Sequence, residues 1–203
     1  MTEDLAALIP AHYEKHAAAW DHDRQAFGWN DKPWHDRFLN QLPMGASILD
    51  LGCGSGWPVA RNMADRGFRV TGVDTSPAMI ALCRERLPLR EWIVADMRGL
   101  SLGRRFDGVL AWDSFFHLAP DDQRRMFRVF ADHATPAAHL MFNAGPDQGV
   151  ALGDYRGDLL YHASLSPAEY AALAEGIGFE VIHHVVEDPA AGGRTAWLCR
   201  RMG

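Results

Sequence analysis

From residue 47 onward, short apolar runs alternate with amphipathic stretches along the chain. Residues 47–51, 68–73, 92–95 and 106–112 are short and rich in branched and aromatic side chains, which predicts strands. Residues 58–66, 77–86 and 120–133 lie between or after them and read as helices. Ser76-Pro77 and Pro120 supply helix-start chemistry, and Gly67 is a stop. A further strand is predicted at 138–143. Strands and helices alternating at this spacing imply βαβ units and a parallel sheet.

The flanks differ. Residues 3–28 are Ala-rich with scattered aromatics and read as a helix, with a break expected at Pro10. A second helix is predicted over 33–42. Residues 144–164 are rich in Gly and Asp and are expected to form one long loop, a candidate substrate wall. Ser166 and Glu169 have capping-box spacing at the start of a helix that stops near Gly176 or Gly178. Residues 179–187 and 194–200 are then two strands on a short connection, which makes them antiparallel neighbours. The expected architecture is an α/β, Rossmann-like three-layer sandwich in one domain, 1–203. Residues 1–45 form N-terminal helices, 46–143 the ligand-binding core, and 144–203 the loop, helix and terminal hairpin.

Composition narrows the partners. The 203 residues carry a formal net charge of -6, and the short Arg clusters sit beside acids. Nucleic acid is therefore not expected as a partner. The three cysteines are far apart, which fits neither a disulfide framework nor a zinc knuckle and suits a reducing cytoplasm. The acidic opening is unlike a secretory signal, and no run of apolar residues is long enough to span a membrane.

The chemistry concentrates at Ile48 to Gly56, ILDLGCGSG. Gly52, Gly54 and Gly56 let the backbone approach a ligand, and the next helix turns its free N–H groups toward it. The dinucleotide fingerprint GxGxxG fails, because Trp57 stands at its last glycine. Asp50 precedes the loop, where a carboxylate would repel a pyrophosphate but suits an ammonium and a sulfonium. Asp74 follows the second strand, where a carboxylate can accept from both ribose hydroxyls. Asp96 follows the third, within reach of an adenine amino group, and its neighbour Met97 can pack on the ring.

With these residues the chain resembles the class I S-adenosylmethionine-dependent methyltransferases from about Ser47 to its C-terminus. The DxGxGxG loop of that family matches Asp50, Gly52, Gly54 and Gly56, and its two downstream acids match Asp74 and Asp96. WDSFFHL, LYHASLSPAEY and GGRTAWL resemble a group of small bacterial methyltransferases. The resemblance implies a seven-stranded, mostly parallel sheet with an antiparallel last strand and an N-terminal helical lid. It implies S-adenosylmethionine as cofactor, with S-adenosylhomocysteine as product. Cys53, Trp57, Thr75, Met79 and Trp112 are expected as further cofactor contacts. Tyr13 and Trp34 are the expected lid aromatics, since an aromatic face attracts a sulfonium.

Methyl transfer needs in-line alignment, and a base only where the acceptor must lose a proton. His117 is the candidate base, because an unperturbed imidazole titrates near neutrality. Asp113 would orient it or receive an acceptor amine. Phe116, Asn143, Tyr155, Arg156, Tyr161 and His162 are candidate acceptor contacts. The [DN]PP[YF] motif of enzymes that methylate bases or glutamine is absent, Asp113-Ser114-Phe115-Phe116 standing in its place. That departure points to a small-molecule acceptor. No metal is expected: His12 and His16 lie four apart on a helix, but no third ligand lies near them in sequence. The expected enzyme is a monomer or homodimer. The alternatives are an NAD-type oxidoreductase, or a cofactor-binding module without methyl transfer.

Overall fold

The computed structural model describes residues 5–203; the opening at 1–4, including the start of the expected first helix, lies outside the described residues. The strands are β1 (Ser47–Leu51), β2 (Arg69–Asp74), β3 (Glu91–Val94), β4 (Phe106–Ala111), β5 (Ala134–Ala144), β6 (Gly149–Tyr155), β7 (Asp158–Ser164), β8 (Phe179–Asp188) and β9 (Arg194–Arg201). The helices are α1 (Ile9–Ala26), α2 (Lys32–Leu39), α3 (Val59–Asp65), α4 (Pro77–Arg86), α5 (Pro120–Asp132) and α6 (Pro167–Gly176).

Seven strands form one sheet in the order β3-β2-β1-β4-β5-β9-β8. β1 to β5 pair in parallel, and β9 is antiparallel to both β5 and β8. Successive strand residues face opposite sides, so each strand feeds two cores. Leu49, Leu51, Val109, Ala111, Leu140 and Phe142 pack under α5 and α6 with Phe127, Phe130, Tyr170 and Trp197. Ile48, Val70, Leu110, Met141 and Leu198 pack on the other face under α2, α3 and α4. This is the three-layer sandwich that the alternation implies.

Two caps form as the sequence specifies. Ser76 accepts from Met79 N at the start of α4, and Ser166 accepts from Glu169 N at the start of α6. The break expected at Pro10 is present: residues 5–6 are helical, 7–8 form a turn, and α1 starts afresh at Ile9 with Pro10 in its first turn, where a missing N–H costs no bond.

The loop expected over 144–164 is instead a hairpin. β6 and β7 pair antiparallel from Gly149↔Ser164 to Tyr155↔Asp158. Its two turn residues, Arg156 and Gly157, have φ of 56° and 86°, the left-handed geometry that joins tightly paired strands. β5 is also longer than expected. Pro136 interrupts its pattern, and the pairing with β4 jumps from Phe106↔Ala134 to Gly108↔His139 around it.

Candidate active site

The parallel strands end along one edge of the sheet, and a cleft of about 1160 Å³, its open mouth included, lies there. Asp50 comes from β1, Asp74 from the end of β2, Asp96 from just beyond β3, and Trp112 and Asp113 from just beyond β4. Open α/β sheets bind their ligands at this edge. α1 roofs the cleft and contributes Tyr13, Trp20 and Arg24.

The glycine loop is shaped by contacts on both sides. Gly52 has φ 77°, and a Cβ there would lie 2.2 Å from the Ser114 Cβ, so only glycine fits. Gly52 N and Cys53 N both donate to Val73 O, which ties the loop to β2. Gly54 N donates to Asp74 Oδ2 at 2.9 Å, and Ser76 N donates to Oδ1 at 2.9 Å. Asp74 is thus fixed by two backbone donors.

Asp50 is in a different position. It is buried, and its carboxylate has no hydrogen-bond or ion-pair partner among the described residues. Burial, with the neighbouring Asp74 charge added, pushes its carboxyl up to about 7. Asp74 is also raised, chiefly by burial. Two desolvated carboxylates beside a glycine loop form a site for positive charge.

Asp96 sits at the cleft but is engaged by Arg98. The guanidinium Nε donates to both oxygens at 3.0 and 2.9 Å, and its side-chain hydrogen bonds hold Asp96 below the usual carboxylate range. Arg98 lines the cleft too and was not anticipated.

Cys53, Trp57, Thr75, Met79, Met97 and Trp112 all line the cleft, as does Tyr13. Gly56 does not; its backbone turns the loop against Cys83 and Trp92. Trp34 does not either. It is fully buried in the core, donates from Nε1 to Asp188 Oδ2 at 2.9 Å, and lies 6.5 Å from the Trp112 ring. An aromatic on an amphipathic helix gives no sequence sign of which way it faces, and here the apolar side of α2 faces the sheet.

Beyond β4 both candidate catalytic residues line the cleft, and each is already engaged by neighbouring groups. His117 is buried, with Nδ1 2.8 Å from the Tyr161 carbonyl oxygen and Nε2 2.8 Å from the Tyr13 hydroxyl. A carbonyl only accepts, so Nδ1 carries the proton, and the neutral ring accepts the Tyr13 hydroxyl at Nε2. Burial lowers the imidazole to about 4, far below its sequence expectation. Asp113 neither orients His117 nor stands free. Arg194 grips it from Nε at 2.6 Å and Nη2 at 2.7 Å, and Asn143 Nδ2 donates to it at 2.9 Å. Arg24 lies 4.0 Å from it on the cleft side. Arg194 also lies 3.7 Å from Asp31, a fully buried acid that accepts Trp112 Nε1 at 2.7 Å. Two acids and two arginines therefore balance around this end of the cleft.

The six expected acceptor contacts do not line the cleft. Asn143 holds Asp113. Phe116 and His162 pack around His117, with ring centroids 4.6 and 4.9 Å away. Tyr161 is buried beside Tyr13. The Tyr155 hydroxyl donates to Asp23 at 2.7 Å, and Arg156 Nη2 donates to the same carboxylate, so both hold the hairpin on α1. Arg24 and Trp20 are among the cleft residues on this side that were not expected there. The α1 pattern alone does not separate its cleft face from its hairpin face.

Comparison with known proteins gives one matching family, described as a methyltransferase domain, over residues 48–137. The chain is 33% identical over 155 residues to a dTDP-4-amino-2,3,4,6-tetradeoxy-D-glucose N,N-dimethyltransferase of Saccharopolyspora spinosa, covering 73% of this chain and 61% of that one. It is 44% identical over 70 residues to a trans-aconitate 2-methyltransferase of Paracidovorax citrulli, covering 32% and 26%. The chain thus spans between 26% and 61% of the length of the first curated relatives it matches. A solved structure, the Burkholderia thailandensis 1,6-didemethyltoxoflavin-N1-methyltransferase with its acceptor and S-adenosylhomocysteine bound, superposes with a TM-score of 0.76 at 18% identity. That likeness covers 100% of this chain and 91% of the other.

Proposed function

The chain belongs to the class I methyltransferases, with the family's methyltransferase domain at residues 48–137, and we propose that it transfers a methyl group from S-adenosylmethionine to the nitrogen of a small amine. The observation that carries the cofactor is the Asp50–Asp74 pair. An unpartnered, buried carboxylate beside the glycine loop calls for a ligand with fixed positive charge. The ammonium and sulfonium of S-adenosylmethionine provide it, and a dinucleotide pyrophosphate would be repelled. In this reading Asp74 keeps its two backbone donors and offers its remaining lone pairs to the ribose. Asp96 and Met97 flank the adenine, and Trp57 and Met79 supply apolar wall.

The acceptor reading rests on proton chemistry. A hydroxyl acceptor needs a base that takes its proton near neutral pH. His117, at about 4 and already bonded by Tyr13, is a poor one. An unprotonated amine needs no base for attack, because its lone pair displaces the sulfonium directly and its extra proton leaves afterwards. Tyr13, donating its own proton to His117, keeps an oxygen lone pair that can accept an amine N–H and aim the nitrogen. The amino-sugar relative acts on such a group. The second reading is a carboxylate acceptor, which also needs no base. Arg24, with Asp113 already gripped by Arg194, favours it.

The test is an acceptor panel of amino sugars, polycarboxylates and hydroxylated aromatics, with S-adenosylhomocysteine release and product mass measured. The reading expects turnover with amines. Turnover confined to carboxylates supports the Arg24 reading. None with any acceptor, despite cofactor binding, would leave a binding module.

A further inference from the structure

The roof helix and the hairpin meet at a cluster that the cofactor cleft does not use. His12 and His16 are one turn apart on α1, and Asp158 opens β7 directly after the hairpin turn. Their ligand atoms all lie within 4.8 Å of one another. His16 Nε2 is 2.6 Å from Asp158 Oδ2, and His12 Nδ1 is 3.9 Å from the same oxygen. The sequence offered no third ligand because Asp158 stands some 140 positions away; the fold brings it in.

A second feature sets this cluster apart from an ordinary ion pair. His12 is buried, with its side chain 4% exposed, yet neither ring nitrogen has a hydrogen-bond partner. A buried polar group without a partner costs free energy, so such groups are rare without a reason. The ring packs at 5.4 and 5.8 Å from those of Tyr13 and Tyr155 and 4.8 Å from that of His16, and none of them hydrogen-bonds to it. Among the described residues, the competing cation at this carboxylate is the Lys15 ammonium, 2.6 Å from Asp158 on a side chain 63% exposed.

We propose that His12, His16 and Asp158 bind a divalent transition-metal ion of the zinc class, and that this ion clasps α1 to the hairpin over the cofactor cleft. Two imidazoles and a carboxylate are a common zinc ligand set, with water completing the tetrahedron. Ligand–metal distances of about 2.0–2.2 Å require ligand atoms roughly 3.3–3.6 Å apart. Small side-chain adjustments within the present cluster achieve that, and Lys15 is displaced. The ion would satisfy His12 in the same step. α1 spans two anchor sets: Glu14 and Asp21 bind it to α4, while Asp158 and Asp23 join it to the hairpin. An ion at the second set would hold the roof down at Tyr13's neighbour, next to the cleft.

The experiment uses the untagged full chain, stripped with chelator and titrated calorimetrically with zinc chloride in the absence of cofactor. One zinc per chain is expected. His16→Ala and Asp158→Ala should each weaken binding at least tenfold, while the His183→Ala/His184→Ala double variant should bind as wild type. Zinc should slow amide exchange across residues 9–26 in the wild type and leave it unchanged in Asp158→Ala. Circular dichroism confirms that each variant is folded. Absence of stoichiometric zinc binding, or wild-type affinity in both single variants, overturns the site. Zinc binding without slowed exchange in α1 overturns the clasp. None of these readouts involves methyl transfer, so they stand apart from the proposed activity.

Discussion

Asp50 shows how one side chain links fold, pH and ligand. With its carboxyl at about 7 against about 3.9 in an unfolded chain, the folded protein binds its proton more tightly. The stability this contributes is complete below the unfolded value and is lost as pH rises through about 7. The ligand acts in the opposite sense, since only the ionised carboxylate attracts an ammonium or sulfonium. Affinity for S-adenosylmethionine should therefore rise from pH 6 to pH 8 by up to about tenfold, on the linkage between proton and ligand. Asp50→Asn should abolish that rise, weaken binding at pH 8, and raise the melting temperature of the unliganded protein there. Calorimetry and thermal melts at the two pH values check all three.

His117 makes a converse prediction at the same scale. Because burial takes it to about 4, it should contribute no limb near neutrality to the pH profile of kcat at saturating cofactor. His117→Asn should leave any neutral or alkaline limb in place, since in the proposed reading that limb belongs to the acceptor amine. In the proposed reading Tyr13→Phe removes one hydrogen bond to the acceptor, and it should lower kcat/KM for an amine about tenfold, the worth of roughly 1.4 kcal/mol. A limb that vanishes with His117 would restore it as the base.

At the level of elements, the cleft depends on Arg194 at the start of β9, which joins the segment after β4 to the start of α2. It binds Asp113 through two nitrogens and lies beside the fully buried Asp31. Although burial opposes ionisation, His35, Arg194 and Trp112 hold Asp31 well below the usual carboxylate range. Removing one partner of such a network leaves charges without compensation, so Arg194→Ala should cost about 3 kcal/mol. The check is a lower denaturant midpoint at unchanged slope.

Elements were legible where local chemistry and period agree. Ser76 and Ser166 start their helices as read, and the four apolar runs from residue 47 to residue 112 became β1 to β4. The acids at strand ends reached the cleft because the parallel topology itself puts strand C-termini on one edge. The β6–β7 hairpin was hidden because Gly149, Gly153 and Asp154 are poor strand formers and most of β6 is exposed, so no apolar alternation marks it. Contacts that cross this hairpin were hidden with it. Trp34 and the six expected acceptor residues were misplaced because composition tells which side chains are useful to a site but not which way they point.

On the scale of the whole molecule, a seven-stranded sheet with β9 reversed brings the cofactor candidates other than Gly56, Trp34 and the α1 residue Tyr13 to the cleft at its edge, and α1 roofs it. Among the described residues no helix is long and apolar enough to cross a membrane. In the proposed reading, Asp50, Asp74, Asp96 and the glycine loop serve one ligand. Calorimetric titration of the full chain with S-adenosylmethionine and, separately, with NADH at pH 8 tests that requirement most directly. The account predicts one S-adenosylmethionine per chain, no NADH, and about a hundredfold loss in Asp74→Ala, as expected for two lost hydrogen bonds to a charged group. Binding of NADH in place of S-adenosylmethionine, or wild-type affinity in a folded Asp74→Ala protein, would contradict it.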